Sequence, residues 1–105
     1  MQFTSFLESG QLTVALTGEI DHHCAKTYIQ AIASKIEAYT PQICILDFQE
    51  VSFVDSSGIA VVINALRSMT QIEGRLLLTG IARQPMRVFQ ASGIDKLVEI
   101  KEAVS

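Results

Sequence analysis

The residues of this sequence that could do chemistry are concentrated at positions 55–58, which read Asp55, Ser56, Ser57 and Gly58. An apolar, strand-like run precedes them, and an apolar helical stripe begins directly after them. This order predicts a serine hydroxyl at the N-terminus of a helix, where backbone N–H groups are free and negative charge is tolerated. Such a serine can be a nucleophile, an anion-binding group, a phosphorylation site or part of a helix start with Asp55 as the N-cap.

Nucleophilic catalysis by Ser56 would require a base, and the sequence offers only His22 and His23. Val54 and Asp55 precede the serine, so the Gly-x-Ser-x-Gly pattern of a nucleophile elbow is not formed. A Ser-His-Asp triad would have to assemble in space with one of the two histidines. A small serine hydrolase stays open as an alternative that the sequence disfavours, because histidines in a first helical turn are usually solvated.

Asp21, His22, His23 and Cys24 carry groups that bind metals, but their spacing matches no metal site. Adjacent histidines on a helix point about 100° apart and chelate poorly. We therefore expect a helix start with Asp21 as the N-cap, exposed imidazoles and no metal. The Gly-Lys-Ser/Thr of a P-loop does not occur around Gly58 or elsewhere, so no nucleotide cofactor is predicted.

Composition indicates a small globular domain. The chain has 105 residues, 49% of them hydrophobic, and a formal net charge of −3. No basic run is interleaved with aromatic residues, which argues against nucleic-acid binding. The N-terminus lacks the pattern of a signal peptide, and no apolar run approaches the ~20 residues of a membrane span, so we expect a cytoplasmic protein. Cys24 and Cys44 form no CxxC motif and predict neither a disulfide framework nor a zinc site, and Cys44 is expected in the core.

The hydrophobic pattern predicts one α/β domain over residues 1–105, with a mixed, mostly parallel sheet and the order β-β-α-β-α-β-α-β. The strands are expected over residues 2–8, 11–17, 43–48, 75–79 and 96–100. Ser9 and Gly10 predict a hairpin turn between the first two strands. The run 43–48 is almost continuously apolar, which is typical of a strand covered on both faces. Alternation of strands and helices predicts right-handed crossovers between parallel strands.

Three helices are expected between the later strands. Apolar spacing predicts that the first buries Ala25, Tyr28, Ile29, Ile32, Ile36 and Tyr39. It predicts that the second buries Ile59, Val62, Ile63, Leu66 and Met69, with Arg67 outside that stripe. The first helix should end before Pro41. The third should carry Pro85 in its first turn, contribute Val88 and Phe89 to the core, and end at Gly93.

This topology brings three strand-to-helix turns to one edge of the sheet. The turns span residues 18–21, 49–57 and 80–85, at the carboxyl ends of their strands, where open α/β sheets usually bind other molecules. Asp21 and Ser56 lie in two of these turns, so we expect them to be neighbours.

Several segments resemble the STAS domain of anti-sigma factor antagonists. They are residues 16–23 (Leu-Thr-Gly-Glu-Ile-Asp-His-His), 46–48 (Leu-Asp-Phe), 51–59 (Val-Ser-Phe-Val-Asp-Ser-Ser-Gly-Ile) and 85–94 (Pro-Met-Arg-Val-Phe-Gln-Ala-Ser-Gly-Ile). The resemblance covers nearly the whole chain. It is strongest to antagonists of the sporulation (sigma-F) pathway, and antagonists of the general stress response come next.

The resemblance implies a protein switch that is not an enzyme. Members of this family bind an anti-sigma factor that is also a serine kinase, and this binding releases a sigma factor. The kinase phosphorylates the serine after the aspartate, here Ser56, and a metal-dependent serine phosphatase reverses the reaction. The partner surface that the resemblance implies comprises Asp21, Asp55, Ser56, Ser57, Gly58 and Ile59.

The physical chemistry of the 55–58 segment agrees with such a switch. A phosphate would meet free N–H groups at the helix start and would add about −1.5 to −2 units of charge beside Asp55 and Asp21. Gly58, without a Cβ, is expected to leave room for a partner backbone. A ligand-sensing or scaffold STAS module that is never phosphorylated stays open as an alternative.

Overall fold

The computed structural model describes residues 3–101, and within them the predicted order of elements is confirmed. The elements are β1 (Phe3–Glu8), β2 (Gln11–Ile20), α1 (Ala25–Tyr39), β3 (Ile43–Val54), α2 (Ser56–Gln71), β4 (Arg75–Thr79), α3 (Arg83–Ser92) and β5 (Glu99–Lys101), with a 3₁₀ turn at Ile94–Lys96. Residue 2, predicted as the start of the first strand, lies outside the described residues. None of the helices within this range combines the length and apolarity that crossing a bilayer requires.

The strands form one sheet whose spatial order, β1-β2-β3-β4-β5, is also the chain order. β1 is antiparallel to β2, and β2 to β5 are parallel to their neighbours. The predicted hairpin turn is confirmed, and both Ser9 and Gly10 have positive φ there. Each crossover moves one strand in the same direction. Right-handed connections therefore place all three helices on one face of the sheet.

The core lies between that face and the helices. Along β3, Cys44, Leu46 and Phe48 are buried, whereas the alternate residues are partly exposed. The predicted cover on both faces is therefore wrong, and the alternation is typical of a sheet with helices on one side. The expectation that Cys44 lies in the core is confirmed, and burial raises the pKa of its thiol to about 12. Both cysteines are free thiols.

The predicted buried faces of the helices are only partly confirmed. Ile29, Ile59 and Leu66 are partly buried against the core, and Tyr39 and Ile63 are exposed. On α1, Tyr39 is 46% exposed and is the last residue of the helix. On α2, Ile63 lies on the exposed side. The buried residues of α1 are Ala25, Tyr28, Ile32 and Ile36, and those of α2 are Gly58, Val61, Val62, Ala65 and Met69. The α2 stripe thus begins at Gly58, and the contact of that glycine with β3 sets the rotation of the helix.

The third helix packs on β3. Phe89 of α3 meets Phe48 edge to face, with ring centroids 5.4 Å apart. The predicted positions of Pro85 in the first turn and of Gly93 after the helix end are confirmed, and Gly93 has φ 83°. The predicted strand over 96–100 is wrong at its beginning. The chain first forms the 3₁₀ turn and enters the sheet at Glu99.

Candidate functional site

The 55–58 segment follows two strands that are longer than the sequence predicted. Residues 49–54, expected in a turn, extend β3, and residues 18–20 extend β2. The two extensions pair with each other through two register shifts, up to the pair Ile20 and Val54. Each strand supplies the hydrogen-bond partners of the other, which the hydrophobic pattern of a single segment does not reveal.

Asp55 is the N-cap of α2, as predicted. Its carboxylate Oδ1 accepts a hydrogen bond from the Ser57 N–H at 2.7 Å, and its carbonyl oxygen accepts from the Gly58 N–H at 2.9 Å. Ser56 is therefore the first residue of the helix. Its side chain is exposed at the N-terminus, where the helix dipole is positive. Ser57 is partly buried, and Ile59 is partly buried against the core.

Gly58 faces the protein, and the expected room for a partner backbone is wrong. The residue is buried, and a Cβ added to it would lie 2.8 Å from the Cβ of Val54. Real Cβ atoms essentially never approach this closely. The missing side chain instead allows α2 to begin directly against the last residue of β3.

Asp21 does not cap α1, contrary to the prediction. The N-cap is Cys24, and the Asp21 carboxylate accepts a hydrogen bond from the His23 N–H at 2.9 Å. The Asp21 carbonyl oxygen accepts from the N–H groups of Cys24 and Ala25. Asp21 therefore closes a turn that precedes the helix. The His23 N–H is the main cause that lowers the pKa of the Asp21 carboxyl below its ordinary value of 3.8.

The two turns are adjacent, as predicted. Asp21 follows Ile20 and Asp55 follows Val54, which are paired residues of neighbouring strands, and the Asp55 N–H donates to the Ile20 carbonyl oxygen at 3.1 Å. Ser56 thus lies beside a second acidic turn. An aspartate therefore stands directly after each of the two paired strand ends at this edge, and Ser56 follows one of them.

The histidines are arranged differently from the expectation. His22 and His23 belong to the turn rather than to a helix, and their rings stack with centroids 4.0 Å apart. Residues 3–101 contain no group of three or more acidic, histidine or cysteine side chains that could hold a metal. Within the same range, no hydrogen bond joins an imidazole to the Ser56 hydroxyl. Among these residues, no histidine is therefore hydrogen-bonded to Ser56 as a general base.

Sequence reasoning missed three features near the 55–58 segment. Phe53, two residues before Asp55 on β3, and Ile63, seven residues after Ser56 on α2, are apolar side chains that are 39% and 36% exposed. Ile63 falls on the apolar spacing of α2, so only the rotation of the helix reveals its exposure. Gln84 on α3 makes two hydrogen bonds with the backbone of Val54, each 2.9 Å long. No sequence pattern marks a glutamine for this role.

Comparison with known proteins identifies the same fold and similar sequences. The anti-sigma F factor antagonist of Lysinibacillus sphaericus is 31% identical over 83 residues, 79% of this chain and 71% of that protein. The anti-sigma-B factor antagonist of Listeria monocytogenes is 29% identical over 97 residues, 90% of this chain and 82% of that protein.

Solved structures of SpoIIAA share the whole architecture. The anti-sigma factor antagonist SpoIIAA in its unphosphorylated form superposes with a TM-score of 0.85 at 27% identity, covering 99% of this chain and 90% of that one. Bacillus SpoIIAA in the phosphorylated form gives a TM-score of 0.77 at 27% identity, covering 99% and 93%. The STAS domain family matches residues 7–105. The predicted fold is confirmed, and the chain belongs to the STAS domain family.

Proposed function

We propose that this protein is an anti-sigma factor antagonist whose binding to an anti-sigma factor is switched off by phosphorylation of Ser56. One observation carries the proposal. Ser56 is an exposed hydroxyl at the first position of a capped helix, on an edge shared with Asp21, in a chain similar to proteins named anti-sigma factor antagonists. The proposed protein acts by binding and is not an enzyme.

Exposure favours Ser56 over Ser57 as the phosphorylated residue. The Ser56 side chain is exposed, whereas Ser57 is partly buried and its N–H is bound to the Asp55 carboxylate. A kinase must bring the γ-phosphate of ATP into line with the acceptor hydroxyl, which requires access to that hydroxyl. The similarity to SpoIIAA, which has been solved in a phosphorylated form, supports a modified residue in this fold.

The surface around Ser56 is suited to lose a partner when it gains charge. Phe53 on β3 and Ile63 on α2, the two elements that Asp55 joins, are partly exposed apolar side chains. Asp21 and Asp55 follow the paired ends of neighbouring strands. Phosphate adds about −1.5 to −2 units of charge at neutral pH. Like charge brought against a packed interface costs several kcal/mol, and each ~1.4 kcal/mol weakens binding tenfold. The switch therefore needs no refolding of the domain.

The proposed partners are an anti-sigma factor that is also a serine kinase and a metal-dependent serine phosphatase that removes the phosphate. The chain is similar both to an anti-sigma F factor antagonist and to an anti-sigma-B factor antagonist. The segment Glu-Ile-Asp-His-His at residues 19–23 favours the sigma-F type. We place this exchange in the cytoplasm, in a single domain that comprises residues 1–105.

Incubation with candidate anti-sigma factor kinases and ATP tests the assignment directly. The kinases are taken from the genome that encodes the chain, and the phosphorylated residue is mapped by mass spectrometry. We expect phosphate on the wild type and on Ser57→Ala, and none on Ser56→Ala. Titration calorimetry should give similar dissociation constants for wild type and Ser56→Ala, and a value at least about tenfold higher for Ser56→Glu.

Four results would contradict the proposal. Phosphate on Ser57 alone would move the site, and equal affinity of Ser56→Glu and wild type would remove the switch. A chain that binds none of the kinases and acquires no phosphate would be a ligand-sensing or scaffold module. Labelling of Ser56 by a covalent serine-hydrolase probe, lost in the His22→Ala/His23→Ala variant, would instead indicate an enzyme.

A further inference from the structure

The end of β3 has an open edge on the side of α3. β4 pairs only with residues 43–47 of β3, whereas β2 pairs with β3 as far as Val54 on the other side. The backbone groups that follow residue 47 and point away from β2 therefore have no neighbouring strand. Such groups need other partners if they are withdrawn from water. Val54 is the last residue of this edge and directly precedes Asp55.

The side chain of Gln84 takes the place of the missing strand at Val54. Its Oε1 accepts from the Val54 N–H at 2.9 Å, and its Nε2 donates to the Val54 carbonyl oxygen at 2.9 Å. A carboxamide carries an acceptor and a donor in one plane, and so matches the N–H and C=O that one strand residue presents to the same side. Gln84 thus extends the sheet by one pair of hydrogen bonds, just before the 55–58 segment.

The helix that carries Gln84 is itself fixed against β3. Phe89 contacts Phe48 in the core, as described above. At the other end, Gly80 lets the chain cross β3 closely, because a Cβ there would lie 3.0 Å from the backbone nitrogen of Gln49. Gly80 also has φ 70°, which favours glycine. The packing of Phe89 and the close crossing at Gly80 place α3 against β3, where the Gln84 side chain reaches the backbone of Val54.

We propose that Gln84 is a positioning residue that holds the 55–58 segment in the geometry which the partner kinase recognises. Its two bonds fix Val54, and Val54 in turn sets both the Asp55 cap and the contact with Gly58. Without them, the end of β3 is held on the β2 side only, and the position of the Ser56 hydroxyl becomes variable. This inference rests on the proposed function and adds a residue that acts through the backbone.

We call the two hydrogen bonds between the Gln84 side chain and the Val54 backbone the clamp. Two substitutions of Gln84 and a matched control test the clamp without any partner. Gln84→Leu removes both hydrogen bonds and replaces the side chain by one of similar volume. Gln90→Leu makes the same change at an exposed position of the same helix. Amide hydrogen exchange by NMR should be at least about tenfold faster at Val54 in Gln84→Leu than in wild type, with shifted resonances at Ser56 and Ser57. Gln90→Leu should have the amide exchange rates and resonances of the wild type. Gln84→Leu and Gln90→Leu should both retain a cooperative thermal transition.

Gln84→Glu adds a readout that general destabilisation would not give. The ionised carboxylate can accept from the Val54 N–H but cannot donate to the Val54 carbonyl oxygen, whereas the protonated carboxyl can do both. The resonance of the Val54 carbonyl carbon, compared with wild type at each pH, should therefore return towards its wild-type position as the pH falls and the carboxyl is protonated. Gln84→Leu should show no such recovery.

The kinase assay then decides whether the clamp serves recognition. We expect the apparent KM for Gln84→Leu to rise about tenfold while kcat changes by less than about twofold, and Gln90→Leu to match the wild type. Unchanged exchange at Val54, or faster exchange with an unchanged KM, would overturn the positioning role. A wild type that is never phosphorylated would instead refute the proposed function. In that case, unshifted Ser56 and Ser57 resonances in Gln84→Leu overturn the clamp, and shifted ones support it.

Discussion

Asp21 and Asp55 occupy equivalent places in two neighbouring strand-to-helix connections, yet only one of them caps its helix. Each aspartate directly follows the last residue of a parallel strand, and those residues, Ile20 and Val54, are paired. Asp55 binds the N–H of Ser57 in the first turn of α2. Asp21 binds the N–H of His23 within a turn, and α1 begins only at Ala25.

The residue three positions after each aspartate accounts for the difference. After Asp55 this residue is Gly58, which lies so close to Val54 that even a Cβ would collide. After Asp21 it is Cys24, which carries a side chain whose thiol donates to the carbonyl oxygens of Glu19 and Asp21. The chain therefore inserts a turn, and Cys24 becomes the N-cap. A hydroxyl is presented at the first helical position only where glycine allows the helix to begin directly.

Addition of one methyl group at Gly58 should prevent α2 from beginning directly against β3. Among the substitutions considered, we expect it to have the largest effect on stability. Gly58→Ala places a Cβ 2.8 Å from the Cβ of Val54, so α2 must move away from β3. We expect a loss of about 1–3 kcal/mol in the free energy of unfolding, as for other overpacked sites. Urea denaturation measures it.

A second substitution separates this collision from other effects of alanine. Val54→Ala removes the atoms that the new Cβ would meet, so the double variant Val54→Ala/Gly58→Ala should lose less than the sum of the two single variants. Additive losses would show that Gly58 is not kept small by Val54. Our account of the direct helix start would then fail.

The sequence predicted what depends on local side-chain patterns. The bounds of β4 agree with the prediction because Gly74 and Gly80 bracket a short apolar run. The Asp55 cap, the hairpin turn and the end of α3 at Gly93 follow equally from residue types with strong local preferences. The order of strands and helices then determined which turns share an edge, and so brought Asp21 and Ser56 together.

The missed features depend on contacts between distant segments. The extensions of β2 and β3 stabilise each other through pairing, and Phe53 lies in one of them. Gln84 bonds to a residue 30 positions away, at an edge that exists only because β4 is shorter than β3. Asp21 was assigned as a cap from its type alone, whereas α1 begins after Cys24, whose thiol bonds back to the carbonyl oxygens of Glu19 and Asp21.

Removal of each carboxylate compares the contributions of Asp55 and Asp21 to stability. We expect effects smaller than that of Gly58→Ala. Asp55→Ala deletes a helix cap and should lower the free energy of unfolding by about 1 kcal/mol. Asp21→Ala deletes a bond within an exposed turn and should cost less. Asn at either position keeps an acceptor for the same N–H group, so Asp→Asn variants should recover most of each loss. Chemical denaturation of all four variants at one pH gives these values, and a larger loss at Asp21 would reverse our ranking of the two aspartates.

The smallest expected effect is a shift in the acid titration of Asp21. The titration shows which neighbouring group lowers the pKa of its carboxyl. A hydrogen bond from the His23 N–H is the main cause of its lowered pKa, and the charges of the two imidazoles add less. The folded pKa lies below the unfolded one, so the stabilisation is present above the ordinary value of 3.8 and is lost as the pH falls through the folded pKa. NMR titration of the Asp21 carboxyl carbon should therefore give a midpoint below 3.8. His22→Gln/His23→Gln removes the imidazole charges and keeps the backbone N–H, so the midpoint should remain below that value. A return to the ordinary value would mean that histidine charge, and not the turn closed by Asp21, holds the carboxylate ionised beside Ser56.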